Sequence, residues 1–114
     1  MPIDTNPKRI TETTSKIGVV RAPIVHYLKC WPQFFDPILE GKKNHDLRRS
    51  DDRDFRVGDL IVLREFDEIR GSFTGRQQKV EITYITSADL PCALSSEALH
   101  DNFCILSISP VSDQ

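Results

Sequence analysis

The sequence predicts an α+β fold in which a small, strongly curved sheet forms a pseudo-barrel. Several short apolar segments of strand composition are separated by turn residues, one segment alone has convincing helical spacing, and hairpin-type connections dominate the second half. The chain of 114 residues suits one domain with one core. We therefore expect about five to six strands with one or two short helices, a flexible arm over 1–21, the domain over 22–110 and a tail over 111–114.

The first half of the domain predicts a strand, a helix and a second strand. Ile24–Cys30 is rich in β-branched and aromatic residues and partly alternates, as strands do. Pro32 suits the first turn of a helix and Gly41 its left-handed stop. Because Pro37 removes a backbone hydrogen bond inside this helix, we expect it to be short and kinked or partly 3₁₀. Asn44–Arg48 follows as a short strand.

The second half predicts two strands joined by a hairpin and a closing strand. Leu60–Phe66 is one strand, Asp67–Gly75 a long polar hairpin loop, and Gln77–Ile85 the returning strand with alternating apolar residues. Leu90–His100 predicts a short helical turn. Phe103–Ile108 is continuously apolar enough to be a buried final strand.

Composition excludes several functional classes. The 15 Lys and Arg against 17 Asp and Glu give a formal charge of -2, which argues against bulk attraction to nucleic acid or membranes. Cys30, Cys92 and Cys104 are odd in number and lack a C-x-x-C pair, which indicates reduced thiols. No apolar run is long enough to span a membrane. We expect a soluble cytoplasmic protein that uses no cofactor, makes no membrane contact and favours a monomer.

The stretch from Gly41 to Asp59 is the most informative part of the chain. Its basic residues stand among alternating acids and are Lys42, Lys43, Arg48, Arg49, Arg53 and Arg56. One interpretation is a solvated face with weak surface pairs. The other is a local polyanion site, since arginine offers a planar fork for phosphate and lysine a compact charge. Trp31 is equally open, because it suits either packing of the helix onto the sheet or stacking on a base.

Strand alternation gives a more specific expectation for this stretch. If Asn44–Arg48 is a strand, Asn44, Asp46 and Arg48 share one face, and Lys43, His45 and Leu47 share the other. Asp46 beside Arg48 then forms the wall of a polar pocket.

Several motifs in family order give a resemblance. They are Lys29 in the first strand, Trp31 and Pro32 at the helix, G-K-K at Gly41–Lys43, Arg48, D-R-D-F-x-V-G-D at Asp52–Asp59, and the L-R-E-F strand. This pattern resembles the DUF3850 family, a branch of the ASCH domains within the PUA-like superfamily. The resemblance implies a PUA-like pseudo-barrel whose cleft, between the helix and the barrel, binds RNA or a nucleotide.

Roles for the candidate binding residues follow from this resemblance and from side-chain chemistry. We expect Lys43 and Arg48 to contact phosphate and Asp46 to contact a base or ribose. Lys29 and Trp31 belong to the same cleft. The remaining candidates are rim cations, and these are Lys42, Arg49 and Arg53.

Two alternative functions stay open. Some ASCH proteins resembling this one are amidohydrolases acting on N4-acylated cytidine. Lys43 matches their lysine, Asp46 occupies the position of their nucleophilic threonine, and Glu97 is a positional candidate for their glutamate; Asp46 could then serve only as a general base for water. The third hypothesis is a small adaptor that contacts another protein through the hairpin loop.

No metal site is predicted. His26 and His45, even with Cys30 or Asp46, lack the ligand spacing of known zinc sites.

Overall fold

A computed structural model describes residues 21–89 and 92–112, and within them the chain forms five strands and two helices. In chain order these are β1 (Val25–Cys30), α1 (Pro32–Leu39), β2 (His45–Arg49), β3 (Leu60–Asp67), β4 (Ser72–Ser87), α2 (Ser95–Ala98) and β5 (Phe103–Pro110). The predicted α+β pseudo-barrel is confirmed, with strand and helix numbers inside the expected range.

The strands form one mixed sheet in the order β1-β3-β4-β5-β2. β1 runs parallel to β3, and the other neighbouring pairs are antiparallel. The sheet curves into a half-barrel whose two edges are β1 and β2. The side chain of Arg48 in β2 links these edges, since its Nη2 donates a hydrogen bond to the carbonyl oxygen of Lys29 in β1 at 2.7 Å.

The core fills the concave face of the half-barrel. In β1 the buried residues alternate with exposed ones, as the sequence predicted for this strand. The buried apolar side chains are Leu28, Cys30, Phe35, Ile38, Ile61, Leu63, Val80, Ile82, Cys104, Leu106 and Ile108. Phe35 and Ile38 come from α1, so burial of these two side chains holds the helix against the sheet.

Helix α1 is short, as expected, but all eight of its residues are α-helical. Pro37 is tolerated because so short a helix has few internal hydrogen bonds to lose. Gly41 ends it with a φ of 79°, a conformation that glycine adopts without strain. The backbone N–H groups of Lys42 and Lys43 both bond to the carbonyl of Pro37, at 2.9 and 3.1 Å, and so fold the chain back onto the helix end.

The prediction of a long hairpin loop over Asp67–Gly75 is wrong. β3 extends to Asp67 and β4 begins at Ser72, which leaves a four-residue turn over 68–71. Polar side chains here belong to β4 and bind a buried partner: Thr74, inside the predicted loop, donates a hydrogen bond to the buried Glu65 at 2.7 Å, and Arg76, just after the predicted loop, binds the same carboxylate. The polar residues of this segment therefore reflect a buried carboxylate on the neighbouring strand and not a loop.

The predicted arm and tail lie largely outside the described residues. Of the arm, only Arg21 is described, and its guanidinium binds the carboxylate of Asp59 in the domain. The predicted helical turn over Leu90–His100 is realised as α2, within the part of that range that the structure describes.

Candidate functional site

A cavity of about 530 Å³ opens between the two edge strands, β1 and β2, beside the first turn of α1. The residues that line it are Lys29, Cys30, Trp31, Phe34, Lys43, His45, Asp46, Leu47 and Arg48. Within residues 21–89 and 92–112, β1 and β2 do not pair with each other: each bonds to one neighbour in the sheet, and the cavity is the space between their two edges.

Asp46 and Arg48 form one polar wall of the cavity. They are alternate residues of β2, so their side chains point the same way, as predicted. Arg48 Nε donates a hydrogen bond to Asp46 Oδ2 at 2.7 Å, and its Nη2 binds the carbonyl of Lys29. Two of the three guanidinium nitrogens are thereby fixed. The third, Nη1, makes no hydrogen bond within residues 21–89 and 92–112 and remains available to a ligand.

Lys43 lies on the same side as Asp46 and Arg48, so its predicted placement on the opposite face is wrong. β2 begins only at His45, and strand alternation therefore does not apply to Lys43. Its Nζ lies 4.0 Å from Asp46 Oδ1 and donates a hydrogen bond to the carbonyl of His45 at 2.6 Å. The ammonium and the guanidinium thus converge on one carboxylate, and the local net charge is positive.

Trp31 and Phe34 form the aromatic wall. Their rings are nearly parallel, at 22°, with centroids 6.2 Å apart. Trp31 is 44% exposed although it packs on the helix. The two interpretations of this residue are therefore compatible: one side of the indole contacts α1, and the remainder is accessible at the cavity.

Cys30 lines the cavity, and Cys104 lies nearby on β5. Burial raises the pKa of the Cys30 thiol to about 11; the charge of Asp46 adds to this rise, and Arg48 and Lys43 partly oppose it. Burial, followed by Asp46, likewise raises the pKa of Cys104 to about 11. Both thiols are protonated near neutral pH, and neither is activated as a thiolate nucleophile.

Lys29 contributes its backbone, more than its charge, to the cavity. Its carbonyl accepts the hydrogen bond from Arg48, while its ammonium lies 4.1 Å from the ring centroid of Phe66. Since side chains alternate along a strand, Lys29 points away from the concave face that buries Cys30.

The three predicted rim cations do not line the cavity. Each has its own neighbour instead: Lys42 lies 3.3 Å from Glu40, Arg49 lies 3.1 Å from Asp51, and Arg53 lies 5.8 Å from the Phe55 ring centroid. For these residues the geometry matches the interpretation of a solvated face with weak pairs.

Sequence reasoning missed four of the lining residues, which are Cys30, Phe34, His45 and Leu47. The position of Phe34, three residues after Trp31 on a helix, was a usable signal, since residues at that spacing are neighbours. The other three line the cavity because they lie on strand edges that remain unpaired, and edge pairing is a tertiary property that no local pattern reveals.

A second charged cluster, centred on Asp59, was also missed. The Asp59 side chain is 1% exposed. It accepts hydrogen bonds from both terminal nitrogens of Arg21 at 2.8 and 2.9 Å, from His26 Nε2 at 2.8 Å, and from the backbone N–H groups of Ile24 and Arg56. Burial alone would raise the pKa of this carboxyl, but these hydrogen bonds outweigh burial and hold the pKa well below its usual range.

A third cluster fixes the helix that carries the aromatic wall. Arg76 on β4 binds Glu65 Oε1 at 2.9 Å and Asp36 of α1 at 2.7 Å, and it lies 4.7 Å from the Phe35 ring centroid. Hydrogen bonds from Arg76, and then from Thr74, lower the pKa of Glu65. The cluster positions α1, and with it Trp31, relative to the sheet.

Other candidate features are limited in the described part of the chain. Over residues 21–89 and 92–112, no three His, Cys, Asp or Glu side chains are grouped closely enough to hold a metal ion. None of the helices described there is long and apolar enough to cross a membrane. Glu97, the third residue of the amidohydrolase hypothesis, is exposed on α2 and does not line the cavity.

The fold and the cavity define a small α+β half-barrel domain with a ligand-sized opening between its two sheet edges. Residues 25–108 match the family described as "Domain of unknown function (DUF3850)", and the chain belongs to that family, as its motifs predicted. The chain is also 39% identical over 62 residues to the "Uncharacterized 12.9 kDa protein in GpA 3'region" of Escherichia phage P2. That alignment covers 54% of this chain and 54% of the phage protein, so it spans about half of each.

Proposed function

We propose that the protein binds single-stranded RNA by accepting one nucleotide into the cavity between β1 and β2. The observation that carries this proposal is the convergence of Lys43 and Arg48 on Asp46, in a cavity that the exposed Trp31 also lines. Cationic donors, an acceptor and an aromatic surface are the three groups that phosphate, base edge and base face require.

The size and chemistry of the cavity support this proposal. Its volume of about 530 Å³ lies within the range of roughly 300–1,000 Å³ typical of small-ligand sites. A base stacks on Trp31, Lys43 and Arg48 Nη1 bind phosphate oxygens, and Asp46 accepts a hydrogen bond from a base amino group or a ribose hydroxyl. The resemblance to ASCH domains, which implies an RNA or nucleotide site in the same cleft, agrees with this assignment.

Trp31 provides a direct readout, because it is the single tryptophan of the chain and lines the cavity. Titration with short single-stranded RNA quenches its fluorescence as a base stacks on the indole. The affinity decreases steeply as salt is raised from about 50 to about 200 mM, because phosphate contacts release counterions. Absent or salt-independent binding would refute the proposal.

Two neighbouring lysines make a matched pair for mutagenesis. Lys43→Ala removes a cation that contacts Asp46, and we expect its RNA affinity to be reduced about tenfold, the loss of one charged hydrogen bond. Lys42→Ala removes an equal charge at a side chain that is 77% exposed and outside the cavity. Equal losses for the two variants would show that the chain attracts RNA only by its general charge.

The amidohydrolase alternative retains two of its three residues, since Lys43 Nζ lies 4.0 Å from Asp46 Oδ1 while Glu97 is elsewhere. Asp46 would have to activate water. Incubation with N4-acetylcytidine distinguishes the two functions: release of cytidine by the wild type and its loss in Lys43→Ala would favour hydrolysis over binding alone. The adaptor alternative relies on Ile69 and Phe73, two exposed apolar residues of the β3–β4 hairpin.

A further inference from the structure

The convex face of the half-barrel carries a second group of cations and aromatic rings, of which only Lys29 also lines the cavity. We call it the outer patch, and it consists of Tyr27, Lys29, Arg64, Phe66 and Phe73. The strand register brings these residues together: Lys29 in β1 is opposite Arg64 in β3, and Phe66 in β3 is opposite Phe73 in β4. Tyr27 is two residues from Lys29 and on the same face of β1.

The aromatic rings hold both cations in fixed positions on this surface. The Lys29 ammonium lies 4.1 Å from the Phe66 ring centroid, and the Arg64 guanidinium lies 4.1 Å from the Phe73 centroid. The two phenylalanine rings meet edge to face, with centroids 5.1 Å apart. Such cation–π contacts restrain a long side chain without neutralising its charge.

The charges of the outer patch are not compensated by acids. Lys42, Arg49 and Arg76 each lie within ion-pair distance of a carboxylate, whereas neither Lys29 nor Arg64 does so within residues 21–89 and 92–112. By strand register, the carboxylate on this face of β3 and β4 is Glu81, whose partner Leu60 is four residues before Arg64 in β3. An offset of four strand residues is roughly 13 Å. The patch is therefore a locally positive surface on an acidic protein.

Two aromatic side chains of the patch are accessible. Tyr27 is 60% exposed and Phe73 is 42% exposed. Exposed rings beside uncompensated cations on an open sheet face form the combination that binds single-stranded nucleic acid, since bases stack on rings and guanidinium planes while phosphates meet the cations. An apolar protein partner would leave both positive charges without a counterpart.

The outer patch is continuous with the cavity across strand β1. The carbonyl of Lys29 borders the cavity, where it binds Arg48, while its ammonium belongs to the patch. β1 is an edge strand of the sheet, so no other strand of the described part of the chain separates the two surfaces. A chain that leaves the cavity over this edge meets Lys29 and then Tyr27 and Arg64.

We propose that the outer patch binds the nucleotides flanking the one held in the cavity, so that the ligand is an RNA strand several nucleotides long. This inference rests on the proposed function for the identity of the ligand. It assigns Arg64 and Lys29 to phosphates and Tyr27 to a base. A free nucleotide fills the cavity alone and makes none of these outer contacts.

The test compares ligands of different length on the full chain. The protein is titrated in one experiment with an equal mixture of the four nucleoside monophosphates, and in a second with a mixed-sequence RNA of about eight nucleotides. We expect the wild type to bind the longer RNA at least tenfold more tightly. Arg64→Ala and Tyr27→Ser should each remove most of that gain and leave mononucleotide affinity unchanged. For Tyr27→Ser we expect the affinity for the longer RNA to decrease roughly fivefold or more, as for the removal of one stacking ring.

The dependence on salt adds a readout that a structural defect would not reproduce. Arg64→Ala should lower the slope of log affinity against log salt by about 0.7, the value for one phosphate contact on a single strand. Arg70→Ala is the matched control, because this exposed arginine lies on the hairpin turn outside the patch. Tyr27→Ser leaves both cation–π contacts in place and so covers the case in which Arg64→Ala impairs folding.

Several outcomes would overturn the inference. Equal affinity for the two ligand lengths, or no effect of either variant, would show that RNA does not reach the outer patch, even if the cavity binds a nucleotide. A dimer in sedimentation experiments that Tyr27→Ser abolishes would assign the patch to a second copy of the chain instead. If Arg64→Ala weakens binding of the longer RNA while Lys43→Ala has no effect on either ligand, the patch is supported and the cavity proposal fails.

Discussion

Asp46 and Asp59 are both buried carboxylates that bind an arginine, yet their surroundings differ. Asp59 accepts five hydrogen bonds, from two side chains and two backbone N–H groups, and it joins Arg21 and β1 to the turn before β3. Among the residues that the structure describes, Asp46 accepts one hydrogen bond, from Arg48, and has Lys43 at 4.0 Å. The Asp59 cluster is complete without a ligand, whereas the Asp46 cluster leaves donors directed into a cavity.

This difference separates a structural ion pair from a candidate binding group. A buried charge with every partner supplied by the chain has nothing left to offer a ligand. The carboxylate of Asp46 lies at a cavity wall, and the cations beside it retain unused hydrogen-bond donors. Such incomplete hydrogen bonding is expected of a ligand-binding site. Burial and a nearby arginine alone would not have distinguished the two residues.

The largest expected effect follows from removing the complete cluster. Asp59→Ala leaves Arg21 and two backbone N–H groups without their acceptor, and we expect the free energy of unfolding to decrease by about 3–5 kcal/mol. Urea denaturation followed by circular dichroism measures the change. Asp51→Ala is the control, because Asp51 pairs with Arg49 at the surface and its loss should change stability little. Similar losses for both variants would show that the Asp59 cluster contributes no more to stability than a surface ion pair.

The dependence of stability on pH should be the next largest effect. The pKa of Asp59 is depressed in the folded protein, so its contribution is present above the unfolded carboxyl value of about 3.9 and lost as the pH decreases below it. Glu65, whose pKa is also lowered, acts in the same direction. We expect urea denaturation to show a steep loss of stability below pH of about 4. A shallower acid limb in Asp59→Ala would confirm the assignment, and an unchanged limb would contradict it.

The smallest effect on stability is expected at the incomplete cluster. Asp46→Asn keeps the shape of the side chain but removes the charge that orients Arg48, and unfolding should become easier by only about 1 kcal/mol. RNA affinity, in contrast, should decrease about tenfold, because the cavity loses its charged acceptor and the ion pair that holds Arg48 in position. Unchanged or improved affinity would show that Asp46 merely offsets the positive charge of the cavity.

Much of the fold could be predicted from local patterns. β1, α1 and β5 were expected within a few residues of their observed bounds, because alternation, Pro32 and Gly41 are local signals. The extent of β4 was not predicted, since Thr74 and Arg76 are polar and do not continue the apolar alternation that indicates a strand. Their role depends on the buried Glu65 of another strand, which no window of β4 contains.

The candidate site was predicted only in part. Asp46 and Arg48 followed from strand alternation, and the motif around Gly41 suggested Lys43. The position of Lys43 relative to Asp46 depends, however, on the backbone hydrogen bonds from Lys42 and Lys43 to Pro37, which turn the chain at the helix end. The cluster at Asp59 escaped prediction because its members are distant in sequence: Arg21 and Asp59 are separated by 38 positions.

The strand order also sets when the cavity can form during synthesis. Within residues 21–89 and 92–112, one of its walls, β2, bonds in the sheet only to β5, the last of the described strands, and the other wall, β1, bonds only to β3. A nascent chain can therefore assemble the hairpin of β3 and β4 and dock β1 while β2 still lacks a partner. A product that ends before Phe103–Pro110 therefore retains the side chains of the β1 and β2 walls but lacks the pairing that holds β2 in the sheet, and with it the pocket that they line.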